Sequence, residues 1–312
     1  MVTEMNNSAT ADIAPDGDVI LVVGAGMKRL KAYSLVLKSA SRVFSAMLGL
    51  RFSEGQRLDD NESTEIDMPE DDAEAMEIML NVIHGRNDAV HDGLDASQIL
   101  RIAIMADKFD FKVALTFAIR VWLNCANITD SSQLWRLLRA AYWFDNAKSF
   151  EEISLGLILH HRGSYLQLWA QDDIDSDILI RICLSLEECR NSIRQSLLEI
   201  VIEEPIWNCW NCFCGWFSKH YLAYIQSLRS EQLPGGIFWM AVSEAVEAVY
   251  RVRDPQPKYA DLTDKSCPEH GHHQRNSDFV MSVRKRVGFA NVGLCLDCVH
   301  SRGQHEAHSK AV

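Results

Sequence analysis

Leu30 to Met47 read LKAYSLVLKSASRVFSAM, and across them the apolar period changes. Up to Ala32 the chain completes a short strand, Met27 to Ala32, that follows the β-branched run Val19 to Val23 (VILVV) after a tight Gly24-Ala25-Gly26 turn. Two apolar runs joined this way make a hairpin. From Ser34 onward Leu35, Leu37 or Lys38, Val43, Phe44, Met47 and Leu48 fit two short helices, with Ser34 and Ser41 expected as N-caps. The Gly24-x-Gly26 turn after VILVV also looks like a dinucleotide fingerprint, but the third glycine position is Arg29. Lys28, Arg29 and Lys31 spoil the apolar helix face that should follow, and no βαβ units come after.

Working outward, residues 1 to 16 are polar and small and are expected to be a disordered leader ending at the Asp16-Gly17 turn. Between Glu54 and Glu77 stand 11 acidic residues against the single Arg57, interrupted by a short strand candidate, Glu65 to Met68, before Pro69. This stretch reads as a solvated loop and helix start, or as a docking surface. No proline occurs from there to Pro205, and helical spacing recurs in Ala73 to His84, Ser97 to Ala106 and Phe111 to Leu123. The polar stretch Asn124 to Ser132 is taken as a domain boundary. Helices are expected again at Leu134 to Phe144, Phe150 to His161, Tyr165 to Ala170, Ile178 to Leu186 and Ile193 to Ile202, then at Tyr221 to Leu228 and Phe238 to Val252.

Composition bounds the function classes. The chain has 312 residues, 47% apolar and 24% charged, which suits about two globular domains. Its net charge of −12 argues against a broad grip on nucleic-acid phosphates or an anionic membrane. With no signal-like leader and no apolar run of membrane-spanning length, the expectation is a soluble intracellular protein of cytoplasm or nucleus. In that reducing setting its 9 cysteines suit buried thiols or metal thiolates better than disulfides.

The segment Asp18 to Leu123 resembles a BTB/POZ domain. Asp18-Val19 with Leu21 and Val23 looks like the opening strand, Leu30 to Leu37 like the F-x-A-H-K-x-V-L block, and Ser39 to Met47 like S-x-x-F-x-x-M. Phe52-Ser53-Glu54, Ile66-Asp67-Met68-Pro69, the Asp71 to Gly85 helix and Ala106-Asp107-Lys108-Phe109 follow in order. The departures are Tyr33 where most members have His, and His84-Gly85 where Tyr-Thr-Gly is usual. The resemblance implies an α+β module of residues 17–124 that forms homodimers or heterodimers. In one branch it also implies attachment to a cullin ubiquitin-ligase scaffold, where Phe52 and Glu54 match a hydrophobic-x-Glu docking motif. The same two residues also read simply as core and surface.

The mainly helical extension, 125–204, is followed by a Cys/His-rich region, 205–312. Cys267-x-x-His270 and Cys295-x-x-Cys298 have the spacing with which one turn delivers two ligands to one zinc ion. They are expected either as a structural Cys3His site or as free thiols in a loosely ordered tail. The end of the chain is also similar to the C-terminal region of fungal BTB proteins. A second cluster, Cys209, Cys212 and Cys214, would need His220, His305 or His308 to complete a site; buried thiols beside Trp are the alternative. His160 and His161 are expected to satisfy carbonyls at a helix end, and Cys183 and Cys189 to pack in the core. From Cys267 onward 6 Lys+Arg meet 4 Asp+Glu without the register of tandem fingers, so DNA binding is not expected. No nucleophile elbow, phosphate loop or HExxH helix is present. The sequence therefore reads as a non-enzymatic interaction protein, a dimerising adaptor of a cullin ligase with an unknown substrate protein. The alternative is a BTB-dimerising scaffold or transcription-linked regulator without a ligase role.

Overall fold

The computed structural model describes residues 11–49, 64–91, 93–169, 176–203, 224–252 and 292–301. The chain divides into two compact units, Met1–Phe150 and Glu151–Val312.

In the first unit the run VILVV is the central strand of a small sheet because it is apolar at every position: Val19, Leu21, Val22 and Val23 are buried. This strand, β2 (Val19–Val23), pairs antiparallel with β3 (Lys28–Ala32), Val19 opposite Ala32 and Val23 opposite Lys28. On its other side it pairs in parallel with β4 (Thr64–Met68), Val19 opposite Thr64. β4 lies at the edge and alternates, with Thr64, Ile66 and Met68 buried and Glu65 and Asp67 exposed. Gly24 holds the hairpin turn at φ +73, a conformation that a side chain would strain.

A fourth strand, β1 (Ala11–Asp12), lies parallel to the outer side of β3, and Ile13 and Ala14 are buried behind it. This corrects the expectation of a disordered leader for residues 11–16. A lone Ile13 in a polar run gives no strand period, whereas the open edge of β3 offers backbone pairing that does not depend on one.

Helices cover the sheet. α1 (Ser34–Ala40) and α2 (Arg42–Met47) are separate because Ser41 is extended between them. Its hydroxyl accepts from Phe44 N at 3.0 Å and donates to the Phe109 carbonyl, which makes it the expected N-cap. The N-cap of α1 is Tyr33, one residue earlier than the Ser34 expected, and the capping oxygen comes from elsewhere in the chain. α3 (Ala73–Ile83) is capped by Asp72, and α4 (Ala96–Lys108) by Asp95 in a capping box with Gln98. α5 (Thr116–Trp122) is short, since residues 112–115 form turns rather than the expected start of the helix.

The polar stretch 124–130 is a connection rather than a domain boundary. Asp130 caps α6 (Ser131–Trp143), whose Leu134, Trp135, Leu137, Leu138 and Ala141 are buried and which packs on α4. Polar composition marks a loop equally well inside a domain as between two, so position alone could not place the division near Phe150.

The second unit is helical. It contains most of α7 (Ala147–His160), then α8 (Leu166–Trp169), α9 (Ser176–Glu203), a helical stretch at 224–230, a 3-10 turn at Gly235–Phe238, α10 (Val242–Arg251) and α11 (Leu296–Ser301). The two helices expected at Ile178 to Leu186 and Ile193 to Ile202 are one 28-residue helix. The intervening Glu187-Glu188-Cys189-Arg190-Asn191-Ser192 looks like a break because it is polar, yet it contains no Pro or Gly. Arg190 is in fact buried, paired with Glu187 one turn earlier, and donates to the carbonyls of His161 and Gly163. It therefore satisfies two carbonyls just beyond the end of α7. His161 instead lies near the Ser164 carbonyl, its pKa lowered by burial. Cys183 is buried as expected, while Cys189 is half-buried.

Candidate functional site

The start of α1 is held from two directions. Asp18, at the foot of β2, accepts hydrogen bonds from Ser34 N at 2.7 Å and Ser34 Oγ at 2.6 Å. Desolvation pushes the Asp18 carboxyl up, but the Ser34 hydroxyl and amide outweigh it and hold its pKa below the ordinary value. From the C-terminal end of α3, His84 Nε2 accepts the Tyr33 amide at 3.1 Å while Nδ1 meets the Leu80 carbonyl at 2.8 Å. That assigns the neutral tautomer with the proton on Nδ1. Burial, opposed by the Leu80 bond, lowers the pKa of His84. The Tyr33 and His84 rings stack with centroids 6.0 Å apart. The two departures from the family pattern, 51 residues apart in sequence, thus meet in space and together fix the entry into α1.

What α1 then displays is Leu35, 77% exposed, while Leu37 is buried. α5 and the turn before it separate two apolar ridges. Phe111, Leu115, Ile119 and Leu123 recur every four residues and are buried; Val113, Phe117 and Val121 have the same spacing and are 82%, 80% and 73% exposed. Arg120 lies over the Phe117 ring at 5.6 Å. The apolar side chains of the stretch Phe111 to Leu123 are therefore half core and half surface. The sequence signal was there: a helix apolar on more than one side needs cover on more than one side.

Five of the seven described acidic residues of the 54 to 77 stretch are drawn into ion pairs with cations of β3 and α4. Glu65 pairs with Arg29, Asp71 with Lys108, Asp72 and Glu74 with Arg101, and Glu77 with Lys28. Such exposed pairs contribute little each, but they leave few of these charges free for a basic partner.

Of the residues singled out in the sequence, Phe52, Glu54, Cys267 and His270 lie outside the described residues, as do Cys209, Cys212 and Cys214. Cys295 immediately precedes α11 and Cys298 lies on its first turn. Among the described residues no group of three or more His, Cys, Asp or Glu is placed to hold a metal ion. Nor is any described helix long and apolar enough to cross a membrane.

Neither a comparison with curated proteins nor one with solved structures finds a match. The family comparison does, and it covers the hairpin, the paired helices, α3 and α4, ending at the start of α5. Residues 16–117 match the BTB/POZ domain, a protein-interaction family rather than an enzymatic one, and the first unit of this chain carries that domain.

Proposed function

We propose that the chain is a dimerising interaction protein whose BTB/POZ domain associates through the apolar surfaces of α1 and α5. The observation that supports this reading is the ridge Val113, Phe117 and Val121, three large apolar side chains in helical register and exposed. Contiguous exposed apolar surface of this kind marks an interaction site. Beyond self-association, we propose the adaptor role suggested by the sequence, in which Phe52 and Glu54 engage a cullin and the second unit recruits a substrate protein.

Sedimentation of the purified chain, alone and with a cullin N-terminal domain, tests both parts. Twice the chain mass, falling to a single chain in Phe117→Asp, is expected for self-association. A single chain at every concentration refutes it. A cullin complex abolished by Glu54→Lys is expected for the adaptor role; failure to bind, with the dimer intact, leaves the scaffold reading in its place.

A further inference from the structure

The segment Val292 to Ser301 is built into the second unit at a tight spot. Gly293 passes so close to α7 that a Cβ there would lie 1.9 Å from the Glu151 carbonyl oxygen. The next amide, Leu294 N, donates to Ser154 Oγ at 2.7 Å, and that hydroxyl donates to the Glu151 carbonyl at 2.9 Å. Leu294, Leu296 and Val299 are buried, and Arg181 of α9 donates to the Val299 carbonyl at 2.8 Å. The turn that carries Cys295 and Cys298 is thus anchored on both sides.

Within that turn the two cysteines are neighbours. Val299 N bonds back to the Cys295 carbonyl, which makes Cys295 the residue that opens α11. Cys298 follows three residues on, within the first turn, which places the two side chains on the same face. Both side chains are half-buried, so small reagents reach them. Cys183, by contrast, is buried in α9, and burial pushes its pKa up to about 11. Two thiols three residues apart on one face of a helical turn, held in place by its flanks, are within reach of a disulfide by side-chain rotation.

We propose that Cys295 and Cys298 are a reversible redox pair that closes to a disulfide by exchange with a small disulfide of the glutathione class. One cysteine thiolate attacks a sulfur of the small disulfide and releases one small thiol. The second cysteine thiolate then attacks the mixed disulfide on the protein and releases the other. Two electrons pass to the small molecule, and the two cysteine protons end on the two thiols released.

The test equilibrates the full chain in glutathione buffers from fully reduced to fully oxidised, quenches in acid, alkylates and digests with trypsin. The peptide 287–302 carries both cysteines and no other. An unalkylated form of it, lighter by two hydrogens, is expected to rise with oxidant and to disappear on reduction. Cys295→Ser retains a side chain favoured at a helix start; there Cys298 should instead trap a glutathione adduct. Three results overturn the proposal: both thiols alkylated even in fully oxidised buffer, a disulfide from either cysteine to another peptide, or protection from alkylation that a chelator lifts. The last would assign the pair to the zinc site with Cys267 and His270.

Discussion

Asp18→Ala removes the only side-chain cap of α1 that the described residues provide. The carboxylate holds Ser34 N at 2.7 Å and Ser34 Oγ at 2.6 Å, and Ser34 itself is buried. Hydrogen bonds to a charged group are worth about 1.5–3 kcal/mol when buried. Asp18 is exposed to solvent, so the pair together is discounted to about 1–2 kcal/mol, the range of a lost N-cap. With a urea slope of roughly 2 kcal/mol per molar for a unit of this size, the unfolding midpoint of the first unit should fall by roughly 0.5–1 M. Asp18→Asn keeps an acceptor for the amide and should lose less. The folded pKa is lowered, so the stabilisation is complete above the ordinary carboxyl value of about 3.9 and is lost as pH falls through the folded value. The gap between wild type and Asp18→Ala must therefore close in acid. Equal midpoints at neutral pH, or a gap that persists once the carboxyl is protonated, would refute the reasoning.

Three further outcomes follow from the same packing. The lowered pKa of His84 means that its contribution is present above the ordinary His value of about 6.5 and is lost as pH falls through the folded value; His84→Ala should remove that part of the acid sensitivity in a pH series of thermal melts. Arg190→Ala leaves Glu187 and the His161 and Gly163 carbonyls without their donor, and a loss of about 3–5 kcal/mol from the second unit is expected in denaturant titrations. Gly293→Ala drives a methyl into the Glu151 carbonyl; about 1–3 kcal/mol should be lost, with faster hydrogen exchange across 292–301, and unchanged exchange there would contradict the close approach.

The elements that local spacing dictates were legible in the sequence, and those that distant partners dictate were not. VILVV is central because nothing polar interrupts it, and Ser41 breaks α1 from α2 because its hydroxyl competes for the Phe44 amide. The β1 edge strand was hidden because it borrows its order from β3. α9 was split in two because a charged six-residue stretch resembles a loop until Arg190 is seen folded back on the end of α7. Tyr33 and His84 looked like two separate departures because the stack joining them spans 51 positions. The hydrophobic-x-Glu motif and half of the metal-ligand set fall outside the described residues, and those readings rest on spacing alone.

The ridge on α5 separates what the fold needs from what it does not. Phe111, Leu115, Ile119 and Leu123 are buried, and replacing any of them with a polar residue would cost the core several kcal/mol. Val113, Phe117 and Val121 face the opposite way, so Lys, Gln or Glu there would cost the isolated fold little, and at 117 and 121, within α5, would gain helix propensity over Phe and Val. Phe117 and Val121, an aromatic and a β-branched residue, are thus poor choices for an exposed helix and good ones for a dry contact. Burying the Phe117 side chain alone on association would contribute about 1.5–3 kcal/mol, a factor of roughly 10 to 150 in the dissociation constant. If the ridge stayed open to water, Phe117→Asp would leave sedimentation unchanged and stability nearly so. If it forms the contact, the substitution lowers affinity by at least that factor while the melting of the first unit barely moves, because the fold never depended on the ring.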